Sequence, residues 1–173
     1  MSLILTLGTM MSGKSTNMIS DYLTYKYNNI PCVYILPDID NRKYISRNIQ
    51  KKIDYIKVSS LDENIYESLS KYKIIFIDEV QLYKNIDKLF IEKCLNDNKI
   101  IYSTGLNGDI NMNSFTNVTK ILPYITSLNY KNGLCNICGN PGYYHHIKIP
   151  ASSNICVGDN NIYSIRCFKH LKN

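Results

Sequence analysis

No segment of the sequence approaches the roughly 18 consecutive apolar residues that a membrane-spanning helix needs. The short apolar start, residues 3–7, runs straight into a glycine turn, which indicates a buried first strand rather than a signal peptide. We therefore expect a cytoplasmic protein with no membrane partner. In that reducing compartment, the six cysteines are not expected to form a disulfide framework.

Dense runs of positive charge are absent as well. The 20 Lys and Arg residues outnumber the 14 Asp and Glu residues and give a net charge of +6, a balance that can favour nucleic acid. The lysines are scattered over predicted helix surfaces, however, so they indicate a solvated surface, and we expect no nucleic-acid partner. Tryptophan is missing while tyrosine occurs 15 times, a bias that we attribute to the base composition of the coding genome.

Strand and helix patterns alternate through most of the chain. Apolar runs predict strands at 3–7, 32–37, 55–59, 73–79 and within 99–109, which ends in a glycine-rich turn. Helical patterns cover 15–28, 61–72 and 85–97, the last with Asn85 as its N-cap. The polar stretch 38–52 is predicted to be a loop. This alternation predicts an α/β fold, with a mostly parallel, RecA-like P-loop sheet flanked by helices.

A complete P-loop pattern, "GTMMSGKS", follows the first strand and opens the first helix. Its glycines permit the tight curvature that turns successive N–H groups toward phosphate oxygens. We expect Lys14 to bridge the β- and γ-phosphates of ATP and the Ser15 hydroxyl to ligate Mg²⁺. A chance glycine-rich turn is the disfavoured alternative. The predicted ATP-binding residues of this segment are Gly8, Thr9, Met10, Met11, Ser12, Gly13, Lys14 and Ser15.

A P-loop requires an acidic site on a neighbouring strand, and "IIFIDEVQ" supplies one. We expect Asp78 to hold Mg²⁺ and Glu79 to project from the end of the strand toward the phosphates. Val80 and Gln81 complete the predicted ATP-binding segment. A carboxylate beside the γ-phosphate can act as a general base toward an incoming hydroxyl. That hydroxyl belongs to water in an ATPase and to an organic acceptor in a kinase. The two motifs alone do not distinguish between these two enzyme classes.

Two paired spacings near the end of the chain indicate a metal site. Cys135-x-x-Cys138 and Cys167-x-x-His170 stand 28 residues apart, and four such ligands suit a structural, tetrahedral Zn²⁺. Unrelated buried thiols are the disfavoured alternative. The periodicity also ends near residue 134, so we predict an ATP-binding domain at 1–133 and a zinc-binding domain at 134–173. The constrained loop 150–163 between the pairs is a candidate lid.

These motifs, in this order, resemble the zinc-containing thymidine kinase family of animal cells, many bacteria and poxviruses, along essentially the whole chain. The segment "GTMMSGKST" is similar to the family's Gly-Pro-Met-Phe-Ser-Gly-Lys-Ser-Thr, and "DEVQL" to its Asp-Glu-(Ala/Gly)-Gln-Phe. The segment "DIDNRKY" resembles its Asp-x-Arg-Tyr, and "GLNGD" its Gly-Leu-Asp-Gly. The segment "VGDNNIYSIRCFKH" resembles the nucleoside-binding lasso and second zinc pair.

The resemblance implies transfer of the ATP γ-phosphate to the 5′-hydroxyl of thymidine. It implies that Glu79 is the general base and that Arg42 stabilises the transferring phosphoryl group. It also implies a homotetramer and feedback inhibition by the triphosphate end product. The implied nucleoside-binding residues are Met10, Asp40, Leu106, Ile110, Phe115 and Tyr163, together with the lasso Asn154, Ile155, Cys156, Val157 and Gly158.

Several positions depart from the family pattern. Thr9 replaces a proline, Ile110 replaces a phenylalanine, and His145 stands where a threonine usually lines the base pocket. The pocket is therefore expected to be less aromatic. Since an apolar pocket discriminates one methyl group by only about 1–3 kcal/mol, deoxyuridine stays open as a substrate beside thymidine.

Two other readings compete with the kinase. "DEVQ" also occurs in helicases, and a zinc knuckle can bind RNA, which would give a nucleic-acid-dependent ATPase. Helicases normally need two ATPase domains, however, and 173 residues provide only one. A catalytically silent scaffold is disfavoured because Lys14, Ser15, Asp78 and Glu79 are all present.

Overall fold

A six-stranded parallel sheet forms the centre of the computed structural model, which describes residues 1–40, 53–148 and 162–171. Its strand order is β3-β2-β5-β7-β1-β8, and every neighbouring pair runs parallel. The predicted α/β class with a mostly parallel sheet is confirmed. The strands of the described residues are β1 (Ser2–Gly8), β2 (Cys32–Pro37), β3 (Ile56–Val58), β4 (Ser60–Leu61), β5 (Ile74–Ile77), β6 (Asn85–Ile86), β7 (Ile100–Leu106), β8 (Ser127–Lys131), β9 (Gly133–Leu134), β10 (Pro141–Gly142), β11 (Tyr144–Ile147) and β12 (Tyr163–Arg166).

The described part of the chain contains four α-helices: α1 (Lys14–Tyr27), α2 (Glu63–Ser68), α3 (Lys88–Asn96) and α4 (Thr116–Ile121). The helix predicted at 61–72 was too long, because Leu61 pairs in β4 and Asp62 caps α2 by accepting from the Ile65 N–H. The N-cap prediction for Asn85 was wrong. Asn85 lies in β6, and α3 follows Asp87. The sequence prediction did not include α4 or β8.

The sheet is covered unequally on its two faces. One face packs against the side chains of α2, α3 and α4, with Phe90 and Ile121 buried on it. The other face packs against α1 through an aromatic cluster, in which Tyr22 meets the Tyr34 and Phe76 rings edge-on at 5.6 Å. Such edge-to-face pairs add about 0.5–1.5 kcal/mol beyond the area they bury. This cluster fixes α1, and therefore the loop that precedes it, above β2 and β5.

All six strands end at one edge of the sheet, where ligands bind in open α/β folds. That edge carries the glycine-rich loop (Gly8–Ser15) after β1, the acidic pair after β5 and the segment 107–110 after β7. The expectation that β5 neighbours β1 was wrong, because β7 lies between them. The ends of three adjacent strands therefore build the site.

The C-terminal residues form two small antiparallel ladders, β9 with β10 and β11 with β12. Thr9 joins this region to the glycine-rich loop, because its hydroxyl accepts a 2.8 Å hydrogen bond from the Gly133 N–H. The division into domains at residues 133 and 134 stays a prediction. Among the described residues, no helix is both long enough and apolar enough to cross a membrane.

Candidate active site

The glycine-rich loop depends on two glycines. Gly8 has φ of 154°, and a Cβ atom there would lie 1.8 Å from the Lys131 carbonyl oxygen, so β8 approaches too closely for any side chain. Gly13 has φ of 82° immediately before α1, a left-handed conformation that glycine adopts without strain. The chain can therefore turn sharply from β1 into the N-terminus of α1.

Hydrogen bonds across the loop hold its curvature. The Lys14 ammonium donates to the Thr9 carbonyl at 2.6 Å, and the Ser12 hydroxyl donates to the same oxygen at 2.8 Å. Thr9 is fully buried, and its N–H donates to the Lys131 carbonyl at 3.2 Å. Proline has neither the N–H nor the hydroxyl, so threonine at this position adds two bonds that a proline could not make. The lysine and the loop N–H groups thus lie together at the N-terminus of α1, an arrangement suited to anions.

Asp78 is fully buried and accepts four hydrogen bonds, from helix α1, from strands β2 and β7, and from the backbone of the next residue. The Ser15 hydroxyl reaches one carboxylate oxygen at 3.2 Å, and the Tyr34 hydroxyl reaches the other at 3.0 Å. Thr104, on the intervening β7, donates to the same oxygen as Ser15. The Glu79 N–H adds a fourth bond at 3.1 Å. Such donors stabilise a carboxylate in its charged form, and a buried carboxylate beside a serine hydroxyl is a ligand pair suited to Mg²⁺.

Glu79 adopts a left-handed backbone conformation, with φ of 52° and ψ of 54°. Such a conformation costs a non-glycine residue about 1–3 kcal/mol and is concentrated at functional sites. It turns the chain sharply after Asp78. The Gln81 amide then donates to the Glu79 carboxylate at 2.7 Å, while its oxygen accepts from the Leu106 N–H at 3.1 Å. Gln81 therefore fixes the Glu79 side chain relative to the end of β7.

An apolar pocket opens beside Glu79 and Gln81. Gln81, Leu82, Asp109 and His145 contribute to its wall. Five of the six predicted nucleoside-binding residues outside the lasso also line it: Met10, Leu106, Ile110, Phe115 and Tyr163. Because Met10 belongs to the glycine-rich loop and Gln81 contacts Glu79, the pocket adjoins both the loop and the acid.

Asp40 does not belong to the described lining of that pocket. It lies buried after β2, and its carbonyl accepts from the Lys57 ammonium. The predicted catalytic Arg42 and the predicted lasso residues lie outside the described residues: Asn154, Ile155, Cys156, Val157 and Gly158.

The imidazole of His145 is 5% exposed and lies between the pocket and the loop. Its Nε2 atom accepts a 2.9 Å hydrogen bond from the Met10 N–H. Burial and the nearby Lys14 ammonium lower the pKa of His145 to about 4, against smaller opposing effects of the Gly108 backbone and Glu79. The ring is therefore neutral at physiological pH, as its role as an acceptor requires.

A second cavity of about 390 Å³ lies between α1 and the strands β1, β7 and β8. Lys14 contributes to both this cavity and the glycine-rich loop. Asn17 and Asp21 of α1 face it from one side, and Asn129 and Lys131 of β8 from the other. Its lining is mostly polar, in contrast to the pocket beside Glu79.

The two predicted metal pairs come together at the end of the chain. Cys135 and Cys138 lie between β9 and β10, while Cys167 and His170 follow β12. Their ligand atoms all lie within 4.8 Å of one another, with His170 Nδ1 3.3 Å from the Cys167 sulfur. This set of three thiols and one imidazole could hold Zn²⁺.

Hydrogen bonds preform this cluster. Asn136 exchanges two bonds with Ile165, of 2.9 and 2.6 Å, and so holds the first pair against β12. Burial raises the pKa of the Cys135 thiol, but bonds from the Cys167, Cys138 and Ile137 backbone and from His170 outweigh it and lower the pKa to about 5. A thiolate is the form that binds metal.

Three contributors to the site were not identified from the sequence: Tyr34, Thr104 and the bridging role of Gln81. Tyr34 and Thr104 lie on strands whose pattern indicated only core, and their hydroxyls matter because Asp78 is within reach. Hydroxyl-bearing residues within apolar strands were the available signal. His145 was recognised as a residue that faces a site, but its bond to Met10 needed the fold.

Known proteins are similar to this chain along nearly its whole length. The family model for thymidine kinase matches residues 1–171. The thymidine kinase of Amsacta moorei entomopoxvirus is 31% identical over 176 residues, which span 96% of each chain. That of Choristoneura biennis entomopoxvirus is 32% identical over 175 residues, spanning 96% of this chain and 94% of the relative. That of vaccinia virus (strain Western Reserve) is 25% identical over 167 residues, spanning 95% and 93%.

Proposed function

The chain belongs to the thymidine kinase family, and on that premise we propose that it transfers the γ-phosphoryl group of ATP to the 5′-hydroxyl of thymidine. The observation that carries the proposal is the position of Glu79. The Glu79 carboxylate accepts a hydrogen bond from Gln81, and Gln81 lines the apolar pocket. Glu79 also directly follows Asp78, which accepts a hydrogen bond from Ser15 of the glycine-rich loop. Hydrogen-bonded side chains thereby join the glycine-rich loop, the Glu79 carboxylate and the apolar pocket.

The donor end of the reaction falls to the glycine-rich loop, which acts as a P-loop. Its N–H groups and the α1 N-terminus hold the phosphates, and Lys14 exchanges its bond to the Thr9 carbonyl for phosphate oxygens. Ser15 and Asp78 would hold Mg²⁺, which when bound neutralises charge on the β- and γ-phosphates. Burial of Asp78 keeps this carboxylate fixed during the transfer.

At the acceptor end, the nucleoside base lies in the apolar pocket and its 5′-hydroxyl points toward Glu79. Glu79 takes the hydroxyl proton as the oxygen attacks the γ-phosphorus, and the P–O bond to ADP breaks. Gln81 keeps the carboxylate aimed at the hydroxyl. Arg42 supports the transferring group, and the lasso residues 154–158 bind the pyrimidine edge, as the family resemblance implies.

The larger cavity is suited to the nucleoside of the donor. It begins at Lys14, extends between α1 and β8, and offers amides and charges beside apolar side chains such as Ile4 and Met18. Asn129→Ala should therefore raise the KM for ATP while the KM for thymidine is unchanged. An unchanged KM for ATP would place the adenosine elsewhere.

The base preference covers thymidine and, as a related pyrimidine, deoxyuridine. Ile110 contributes to the pocket where the family resemblance implies a phenylalanine, so the wall has less aromatic surface. A methyl group in such a pocket is worth about 1–3 kcal/mol. Purine nucleosides, with a larger ring system, are excluded.

Zinc serves a structural role, since four protein ligands leave no position for a substrate. Its thiolates require a reducing compartment, which favours the cytoplasm. The assembly is a homotetramer, as the family resemblance implies. Four chains of 20.0 kDa would give a particle of about 80 kDa by light scattering, and a particle of 20.0 kDa would contradict this assembly.

The function is tested by phosphorylation with purified protein, labelled ATP and Mg²⁺. The acceptors are thymidine, deoxyuridine, deoxycytidine, two purine deoxynucleosides, single-stranded RNA and water. The proposal expects labelled monophosphate from thymidine and little or none from the purines. Phosphate release that rises only with RNA would instead identify a nucleic-acid-dependent ATPase.

A further inference from the structure

We propose that His145 is a positioning residue, which couples the glycine-rich loop to the acceptor pocket because its ring accepts a hydrogen bond from the loop and also lines the pocket. The inference rests on the proposed function for its kinetic consequences only. Its structural content, the ring tautomer and the bond to Met10, can be measured without any substrate.

The first half of the coupling is the bond to the loop. The Met10 N–H donates to His145 Nε2 at 2.9 Å, over a sequence separation of 135 residues. Met10 precedes Met11, which has a left-handed φ of 60°, so this bond fixes the loop where its direction changes. A loop that is held in its curved form before the phosphates arrive loses less conformational entropy on binding them.

The second half of the coupling is the place of the ring in the acceptor pocket. His145 lines this pocket together with Gly108, Ile110 and Phe115, which all follow β7 in the chain. Because Nε2 is an acceptor, the ring proton of the neutral imidazole resides on Nδ1. One rigid ring therefore spans the loop after β1 and the segment after β7.

The strand pairing of β11 holds the His145 ring in place. His145 is paired with Ile165 in the β11–β12 ladder, and Asn136 holds Ile165 from the other side. The neighbouring His146 lies on the opposite face of β11, and its Nδ1 atom has no hydrogen-bond partner among the described residues. The two adjacent histidines thus form a natural pair for comparison, because only the His145 ring is bonded to Met10 and belongs to the described lining of the pocket.

A displacement of about 1 Å between reacting groups can lower a rate by roughly 100-fold. Loss of the ring should therefore act on kcat, because the donor and the acceptor would no longer be held in register. It should act only weakly on the KM for thymidine, since the remaining apolar wall still binds the base. A merely structural histidine would instead lower the amount of folded enzyme without changing kcat per active site.

The test compares His145→Leu, His145→Gln and the control His146→Leu in the full chain. Leucine keeps similar volume but has no acceptor, whereas the glutamine oxygen can accept from the Met10 N–H. We expect His145→Leu to lower kcat by about 10- to 100-fold and to weaken Mg·ADP binding by about 3- to 10-fold. His145→Gln should recover most of both losses, and His146→Leu should resemble the wild type. Zinc content and thermal melting report folding for each variant.

Nitrogen-15 spectra of the three histidines provide a readout that needs no nucleoside. The inference expects the Nδ1–H tautomer for His145 at neutral pH, with assignment by its disappearance in His145→Gln. An Nε2–H tautomer would overturn it, as would equal kcat and Mg·ADP affinity in the wild type and His145→Leu. A wild type that phosphorylates no nucleoside would refute the proposed function instead, and the tautomer and the Mg·ADP affinities would still decide the role of His145.

Discussion

The Ser15 hydroxyl donates a 3.2 Å hydrogen bond to Asp78 across a sequence separation of 63 residues. The bond joins the first turn of α1 to the end of β5, although β7 separates β5 from β1 in the sheet. Thr104 of β7 closes that gap, because it donates to the same carboxylate oxygen. The distance between the glycine-rich loop and Asp78 is thus determined by the ends of β1, β5 and β7 together, and not by the Ser15–Asp78 bond alone.

Asp78→Asn should uncouple nucleotide affinity from Mg²⁺. The amide keeps the size of the side chain but removes the charge that attracts the cation. We expect the gain in ATP affinity on adding Mg²⁺ to fall by at least about 10-fold, measured by calorimetry with and without the metal. Asp54→Asn is the control, because the Asp54 side chain is 93% exposed and forms a loose ion pair, 3.8 Å from the Lys26 ammonium. An unchanged Mg²⁺ effect in Asp78→Asn would contradict this assignment.

Glu79→Gln should preserve nucleotide binding and lower turnover. Without the carboxylate no group accepts the hydroxyl proton, so kcat should fall by roughly 10²–10⁴-fold. The affinity for Mg·ADP should change little, because the proposed Mg²⁺ ligands Ser15 and Asp78 remain. Glu67→Gln on the exposed surface of α2 is the matched control. Near-normal turnover in Glu79→Gln would remove Glu79 from the role of base.

The metal cluster should carry about one Zn²⁺ per chain, measured on purified protein. Cys135→Ser should lose the metal and lower the melting temperature, because a structural zinc contributes folding free energy. Cys32→Ser provides the control. That thiol is buried in β2, where it contacts the Tyr22 carbonyl, so zinc should be retained. Folded, active protein without zinc would refute a structural site.

Acid should destabilise the protein partly through His145. Its pKa is lowered from 6.5 to about 4, chiefly by burial and then by Lys14, so the unfolded state binds the extra proton first as pH falls. Stability from this group is therefore complete above about pH 6.5 and is lost as pH falls toward 4. The loss amounts to about 3 kcal/mol. It should be absent in His145→Gln when unfolding of both proteins is followed in excess zinc. Parallel pH profiles for the two proteins would contradict the buried, neutral ring.

The parts of the fold that the sequence predicted well are those governed by local periodicity. Buried runs such as residues 73–77 and the helix after Gly13 have a single stable arrangement each, and both were found. The short helix α2 was overestimated because Ile65 and Leu69 are spaced four residues apart and the helical pattern was extended back to Leu61, which in fact pairs with Ile86 in a strand. Edge strand β8 was missed because its residues are mostly exposed, so no apolar run marks it.

Motif spacing led to the prediction of Lys14, Ser15, Asp78, Glu79 and the four metal ligands as site residues, because each chemistry needs fixed residue types at fixed intervals. Their roles stay predictions, and the hydrogen bonds between the elements that carry them were not predicted. The bonds from Tyr34, Thr104 and His145 join residues that lie far apart in the chain. Only the strand order brings them together, and strand order is not encoded in any local pattern.

The central claim is that ATP bound at the glycine-rich loop gives its γ-phosphoryl group to a nucleoside 5′-hydroxyl. One transfer experiment tests this claim most directly. ATP labelled at the γ-phosphate is incubated with the protein and Mg²⁺ together with either thymidine or 5′-deoxythymidine, which lacks only the accepting hydroxyl. The account predicts labelled thymidine 5′-monophosphate in the first case and no labelled nucleotide in the second. Labelled inorganic phosphate at equal rates in both, or label on 5′-deoxythymidine, would contradict it.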